Sequence, residues 1–223
     1  MRRLRKVALF ALIGFLVMPV VLVLVYRALP PLFTPIMVVR LFEGEGIKKK
    51  WIPLSVVSRH VPAAAIALED NLFCEHSGFD WASIFEAAAD YQRGNKPLHG
   101  GSTISQQTAK NVFLWPSRTF TRKAIETPFT MMIEYFWDKR RIMEVYLNVV
   151  EWGPGIYGVE AAAQAYFGKS ARRLTRREAA LLAAVLPNAR RWSPAAPTRY
   201  IRRRAASAMA RMRKLGPLLR CIQ

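Results

Sequence analysis

A glutamate set among apolar residues is the first group in this chain able to do chemistry. It lies in the stretch Ala65-Ile66-Ala67-Leu68-Glu69-Asp70-Asn71-Leu72-Phe73-Cys74-Glu75-His76-Ser77-Gly78-Phe79-Asp80. On a helix, Glu69 has Ala65, Ile66, Leu72 and Phe73 as its three- and four-removed neighbours, so its carboxylate shares a mostly apolar face. Desolvation there raises a carboxylate's pKa and makes it a stronger base. Taken alone, Glu69 also reads as a carboxylate paired with an arginine at a helix end. His76 and Asp80 have the same double reading: a ligand or acid, or polar residues that hold a turn.

A second stretch, His99-Gly100-Gly101-Ser102-Thr103-Ile104-Ser105-Gln106-Gln107-Thr108-Ala109-Lys110-Asn111, puts two glycines before a hydroxyl-capped helix start. Free backbone N–H groups and the positive end of a helix dipole make such a turn a plausible anion cradle, and Lys110 adds a full charge. Alone, the turn reads equally as a loop entering a helix. A third stretch runs from Arg118 through Arg122, Lys123 and Glu126. Arg122 and Glu126 stand one helical turn apart, and on an open surface such a pair contributes only ~0.3–0.5 kcal/mol.

These residues need a scaffold, and the chain of 223 residues has room for one short anchor and one domain. With 34 Lys and Arg against 15 Asp and Glu, its formal charge of +19 calls for an anionic partner: nucleic acid, acidic lipid headgroups or a phosphorylated substrate. Arg2, Arg3, Arg5 and Lys6 precede an uncharged apolar run from Val7 to Tyr26, about long enough to cross ~30 Å of hydrocarbon as a helix. The run is too long for a signal-peptide core and leads into Arg27-Ala28-Leu29-Pro30-Pro31, which favours an uncleaved signal anchor. Positive charge before the span keeps the N-terminus cytoplasmic and sends the rest across the membrane, which removes nucleic acid from the partners. We expect residues 1–29 to form the basic tip and anchor, 30–50 a connector along the membrane surface, and 51–223 the folded domain.

Helix signals fill that domain. Pro62 opens one helix, Asp80 caps a second ended by Gly94, Ser102 caps a third, and Asp138 precedes a fourth. Thr175 with Glu178 forms a capping box, Pro187 stops that helix, and Arg199 to Leu215 reads as a basic amphipathic helix closed by Gly216. No alternating strand pattern is found, so the fold class is all-α or nearly so. Cys74 and Cys221 are too few for a disulfide framework and lack zinc-site spacing; they read as structural residues whose pairing is not legible. The apolar loop Val112-Phe113-Leu114-Trp115-Pro116, with Phe120, suits either insertion into a bilayer or ordinary core packing.

Together the three stretches resemble the family 51 glycosyltransferases, the peptidoglycan polymerases. The first resembles the signature E-D-x-x-F-x-x-H-x-G-x-D, through Glu69, Asp70, Phe73, His76, Gly78 and Asp80. The second resembles G-G-S-T-I-x-Q-Q-x-x-K-N, through Gly101, Ser102, Thr103, Gln107, Lys110 and Asn111 among others. Arg122-Lys123 with Glu126 resembles R-K-x-x-E, and Arg141 to Asn148 resembles R-I-x-E-x-Y-L-N. The match continues in order through Gly158–Lys169 and Leu174–Ala183, covering about Val61 to Asn188. Pro128 departs from the pattern, and a kink or early helix boundary is expected there. Ser105 replaces the usual threonine and keeps the hydroxyl.

The resemblance implies a lysozyme-like helical domain that polymerises lipid II, a disaccharide-pentapeptide on a polyprenyl pyrophosphate, with inversion at the anomeric carbon. Glu69 would be the base; Lys110, Arg118, Arg122 and Lys123 would clamp the leaving pyrophosphate; Ser102 and Gln107 would position phosphate or sugar. Glu126 would orient those cations or hold a divalent ion on the pyrophosphate, so Mg²⁺ or Mn²⁺ is an expected aid and no tightly bound cofactor is expected. The chain contains no Ser-x-x-Lys and no Lys-Thr-Gly, so no transpeptidase activity is expected. Two other readings fit parts of the pattern: a lysozyme-like enzyme that cleaves finished glycan, and a basic membrane-tethered scaffold that recruits other wall-assembly proteins.

Overall fold

Small side chains decide how the helices meet. A computed structural model of the chain describes residues 2–94, 101–117 and 119–222, leaving aside the side chains of 2–5, 7–13, 15, 16, 87 and 88. His99, Gly100 and Arg118 therefore lie outside the described residues. The elements in chain order are α1 (Arg2–Ala28), α2 (Pro35–Phe42), β1 (Lys48–Lys49), α3 (His60–Glu69), α4 (Trp81–Gln92), α5 (Ile104–Phe113) and α6 (Phe120–Phe136). Then follow α7 (Lys139–Val149), β2 (Glu151–Gly153), β3 (Ile156–Tyr157), α8 (Val159–Phe167), α9 (Arg176–Val185), α10 (Arg199–Met212) and a 3-10 segment, Gly216–Ile222.

Residues Val61 to Ala67 of α3 are all buried, four of them alanine, and α9 and α10 pack around this helix. Ala179, Ala180, Ala183 and Ala184 of α9 and Ala205 and Ala208 of α10 are buried as well. Alanine at these contacts lets helix axes approach closely and costs little side-chain entropy. Around α5, the helices α6 and α7 build a second group, filled by larger residues such as Ile104, Ile133, Ile142, Met143 and Tyr146. Glu69 at the end of α3 and the start of α5 meet where the two groups join.

Several caps follow the sequence signals. Asp80 caps α4, Asp138 caps α7, and Thr175 with Glu178 forms the box that starts α9. Ser102 does not cap α5; Thr103 does, in a capping box with Gln106, because Thr103 already has the extended backbone a cap needs. α6 runs through Pro128 without the expected boundary. The hydroxyls of Thr127 and Thr130 donate to the carbonyls of Lys123 and Glu126, supplying side-chain donors on either side of the missing proline N–H.

The expectation of no strands is corrected in one place. A three-stranded sheet, ordered β1-β3-β2, pairs β1 parallel and β2 antiparallel to β3. Strands of two or three residues are too short to show alternation. Through β1 and the buried Ile36 and Met37 of α2, the segment between residues 30 and 50 is built into the domain. The two cysteines pair: Cys74, after α3, is bonded to Cys221, 147 residues away, with Cα atoms 5.5 Å apart. This bond ties the C-terminal 3-10 segment to the turn behind Glu69.

The uncharged run Val7–Tyr26 lies inside α1. Among the described residues no helix is long and apolar enough to cross a membrane, and much of the first half of that run lies among the side chains left aside. The end of α1 is held by the domain. Trp137 Nε1 donates to Val23 O at 2.8 Å, and the Arg141 guanidinium donates to Tyr26 O at 2.9 and 3.1 Å and to Leu29 O at 2.7 Å. Tyr26 O and Leu29 O belong to the last turn of α1 and its exit, where a helix leaves acceptors without partners of its own, and Val23 O lies one turn earlier.

Candidate active site

The end of α3 brings Glu69 to a cleft of about 520 Å³ lined by Leu68, Asp70, Asp80, Ser102, Gln107 and Arg204, among others. The Glu69 side chain is 11% exposed. One oxygen accepts from Arg204 Nη2 at 2.8 Å, and the other accepts from Gln107 Nε2 at 3.2 Å. Burial pushes the Glu69 pKa above the ordinary carboxylate value, while Gln107, Arg204 and Lys110 oppose it without cancelling it. The raised pKa is the effect inferred from sequence, but α3 ends at Glu69, so only Ala65 and Ile66 share its helical face, and Leu72 and Phe73 fall in the turn that follows.

Gln107 is itself oriented by a buried tyrosine. Tyr146 Oη donates to Gln107 Oε1 at 3.3 Å, which leaves the Gln107 amide NH₂ for Glu69. Burial, first, and the nearby Glu69 hold Tyr146 well above the usual phenol pKa, so it stays a donor. Neither Tyr146 nor Arg204 was singled out from sequence. Tyr146 sits in the fourth motif with only apolar residues (Ile142, Met143, Val149 and Val150) three and four positions away, so it reads as core, and Arg204 lies 135 residues from Glu69 on a basic amphipathic helix.

Asp70 and His76 hold the turn. Gly78 N donates to His76 Nδ1 at 3.1 Å, so Nε2 carries the proton and donates to Asp70, 2.9 Å away. Asp70 also accepts from Ile104 N at 2.8 Å, fixing the start of α5 against the end of α3. Phe73 is fully buried and lies under the Lys139 ammonium, 4.7 Å from the ring centre. Gly78 has φ of +93°, and a Cβ there would press on Thr130 and Glu134. Asp80 accepts from the Ser83 backbone at 3.0 Å and from its hydroxyl at 2.6 Å. The Thr103 hydroxyl donates to Gly78 O at 2.6 Å, which closes the turn onto α5.

Gln107 and Pro187 also border a second space of about 430 Å³, which Lys110, Asn111, Ser117, Asn188 and Arg190 help to line. Here α6 supplies three charges. Glu126 is 2% exposed, and each of its oxygens takes one cation, Arg122 on one and Lys123 on the other. Arg122 Nε also donates to Ser117 O at 2.6 Å, and Lys123 Nζ reaches Ser102 Oγ at 3.3 Å. Lys110 enters no ion pair among the described residues; burial, and then Arg122 and Lys123, lower its pKa against the pull of Glu126 and Glu69. Arg118 lies outside the described residues.

With both Glu126 oxygens occupied, that carboxylate is not a ready metal ligand. Among the described residues no group of three or more His, Cys, Asp or Glu side chains is placed to hold a metal ion.

A carboxylate of raised pKa in a cleft that Lys123 of a cation cluster approaches through Ser102 suits group transfer, and comparison with known proteins specifies which. A family model described as Transglycosylase matches residues 37–213. The chain belongs to the transglycosylase family. It is 53% identical over 212 residues to the biosynthetic peptidoglycan transglycosylase of Rhodospirillum centenum, covering 95% of this chain and 91% of that protein. Against the protein of the same description from Caulobacter vibrioides it is 52% identical over 204 residues, covering 91% and 89%. Against that from Ectopseudomonas mendocina it is 48% identical over 222 residues, covering 97% and 91%.

As a transglycosylase, the chain is a glycosyltransferase. The match takes in α2 and α10, beyond the span from Val61 to Asn188 that the motifs marked, and so includes Arg204. One donor of Arg204, Nε, is buried without a partner among the described residues.

Proposed function

We propose that this peptidoglycan glycosyltransferase polymerises lipid II into glycan strands and releases polyprenyl pyrophosphate, with no transpeptidase activity. One observation carries the reading: Glu69 and Ser102 line one cleft, Gln107 is shared between that cleft and the space lined by Lys110, and Lys123 of the Arg122–Glu126 cluster reaches Ser102 at 3.3 Å. A base on one side and an anion clamp on the other suit a displacement in which the nucleophile attacks one carbon from the face opposite the departing group.

In this reading the growing glycan, still on its lipid pyrophosphate, is the donor, and an incoming lipid II is the acceptor. Glu69 takes the proton from the acceptor sugar hydroxyl, and the hydroxyl oxygen forms the new bond to the donor's anomeric carbon. The bond from that carbon to the pyrophosphate oxygen breaks, and the configuration inverts. Arg204 and Gln107 keep the Glu69 carboxylate aimed while its raised pKa lets it accept the proton. Lys110, Lys123 and Arg118 meet the charge that develops on the pyrophosphate; Arg122, tied to Glu126 and Ser117, fixes the positions of its neighbours and offers its remaining guanidinium donors. Ser102 positions phosphate or sugar beside Lys123. Mg²⁺ or Mn²⁺ enters as a counter-ion of the substrate's pyrophosphate, with no step assigned to it.

Peptidoglycan synthesis belongs to the cell envelope. We assign α1 to the bacterial inner membrane as a single uncleaved anchor, with the domain on the periplasmic side. Support comes from the basic tip, the run Val7–Tyr26 and the Cys74–Cys221 disulfide, a bond that persists in oxidising compartments. The loop expected either to enter the bilayer or to pack divides between the two: Val112 and Leu114 are buried and Phe113 stacks on Phe129, whereas Trp115 is 44% and Phe120 94% exposed.

The test is purified full-length protein in detergent with labelled lipid II, and in parallel with finished glycan. A ladder of polymer from lipid II supports the reading. Cleavage of finished glycan without polymer formation would replace it with the lytic one.

A further inference from the structure

A second large cavity lies apart from the catalytic cleft. It measures about 850 Å³ and lies at the opposite end of α3, where His60 is, ~14 Å from Glu69 by helical rise. Its apolar surface comes from residues that include Leu54, Val57, Leu219 and Ile222. Four arginines from four parts of the chain reach it: Arg59 before α3, Arg140 in α7, Arg176 in α9 and Arg213 after α10.

No aspartate or glutamate lines this cavity, and none of the four arginines enters an ion pair among the described residues. Arg140 spends one nitrogen on Ile222 O at 3.0 Å and Arg176 one on Met209 O at 2.6 Å, leaving further donors on each. The same field acts on the one histidine present: burial, and then Arg59 and Arg176, lower the His60 pKa. Cations gathered from four segments around an apolar surface repel one another, and an anion of matching shape relieves that cost. The volume lies within the ~300–1,000 Å³ typical of small-ligand sites.

We propose that this cavity binds the phosphate headgroup and upper acyl chain of an anionic membrane lipid, the phosphate on the arginines and the chain on the apolar surface. Arg140 neighbours Arg141, whose guanidinium holds the exit of α1, so the site lies close to where the anchor ends and the bilayer begins. That proximity rests on reading α1 as an anchor; the charge and shape of the cavity do not. The site is separate from the cleft, yet α3 and α10 contribute to both, with Glu69 and Arg204 at one end and His60 and Arg213 at the other.

The experiment uses the full chain in nonionic detergent and dihexanoyl phosphatidylglycerol below its micelle concentration, followed by calorimetry and by the NMR titration of His60. Saturable binding that raises the His60 titration midpoint is expected. An Arg59→Glu/Arg213→Glu double variant should bind roughly tenfold or more weakly and lose the His60 response, as charge-assisted contacts are removed. That variant should still polymerise lipid II in detergent, because neither residue belongs to the catalytic cleft. Equal affinity in wild type and variant would overturn the proposal. So would equal binding of the zwitterionic phosphatidylcholine, binding of glycerol phosphate as tight as that of the lipid, or binding that Lys110→Ala abolishes and Arg59→Glu/Arg213→Glu leaves intact. Because lipid binding and polymerisation are read separately, loss of one does not stand for loss of the other.

Discussion

Two largely shielded glutamates of this transglycosylase stand in opposite electrostatic surroundings. Glu126 has two cations from its own helix, three and four residues away, and each carboxylate oxygen is taken. Glu69 has one cation, delivered from α10, and one neutral amide, and burial outweighs both in setting its pKa. The first carboxylate is compensated and organises charge; the second is under-compensated and ready to accept a proton. Residue type and burial alone do not separate a base from a structural anion, whereas the count and origin of their partners do.

The sharpest way to break this contrast is to exchange acid for amide at each position. Glu69→Gln should keep the fold and lose ~10²–10⁴-fold or more of lipid II polymerisation, the range for a general base; near-normal turnover in a gel assay would remove Glu69 from the mechanism. Glu126→Gln should act on the fold as well, since it leaves the Arg122 guanidinium, 10% exposed, without its counter-charge. Breaking a buried pair from one side costs about 3 kcal/mol or more, and a denaturation midpoint equal to wild type would contradict the compensated role.

Arg204→Ala sharpens the comparison through pH. Arg204 holds the Glu69 pKa down against burial, so its removal raises that pKa further. Glu69 works as a base only when deprotonated, so the acid limb of the rate profile should move to higher pH, with a smaller loss at the alkaline plateau than Glu69→Gln produces. An unmoved limb would mean that Arg204 does not set the state of Glu69. The smallest effect expected lies outside the pair: Phe120→Glu, at a residue 94% exposed that opens the Glu126 helix, should weaken vesicle association without changing turnover in detergent. Unchanged association would detach that end of α6 from the bilayer.

What the sequence discloses about the two sites follows from how far apart their partners lie along the chain. The Arg122–Glu126 pair is legible because one helical turn brings the side chains together in any context. The raised pKa of Glu69 is legible in part for the same reason, from Ala65 and Ile66 at helical spacing, whereas Leu72 and Phe73 lie beyond the end of α3. Arg204 is not, because only the alanine-lined packing of α10 on α3 carries it to Glu69, and arginine-rich α10 gives no sign of which charge turns inward. Thr103 in place of Ser102 as a cap depended on backbone angles that adjacent hydroxyl residues do not distinguish. The Cys74–Cys221 bond and the short sheet are likewise contacts between distant segments. Order of motifs, helix starts and the helical fold class came through; tertiary partners did not.

The grip of Trp137 and Arg141 on the last turn of α1 gives the enzyme a fixed posture. A domain joined to its anchor by a loose tether would swivel above the bilayer and meet its substrate at every angle. Here α1 is bolted to α6 and α7, so with that helix in the lipid the tilt and height of the cleft are set by side-chain packing. On the proposed function, each lipid-borne precursor would then reach Glu69 at one height above the bilayer, and a lengthening strand would leave along one heading.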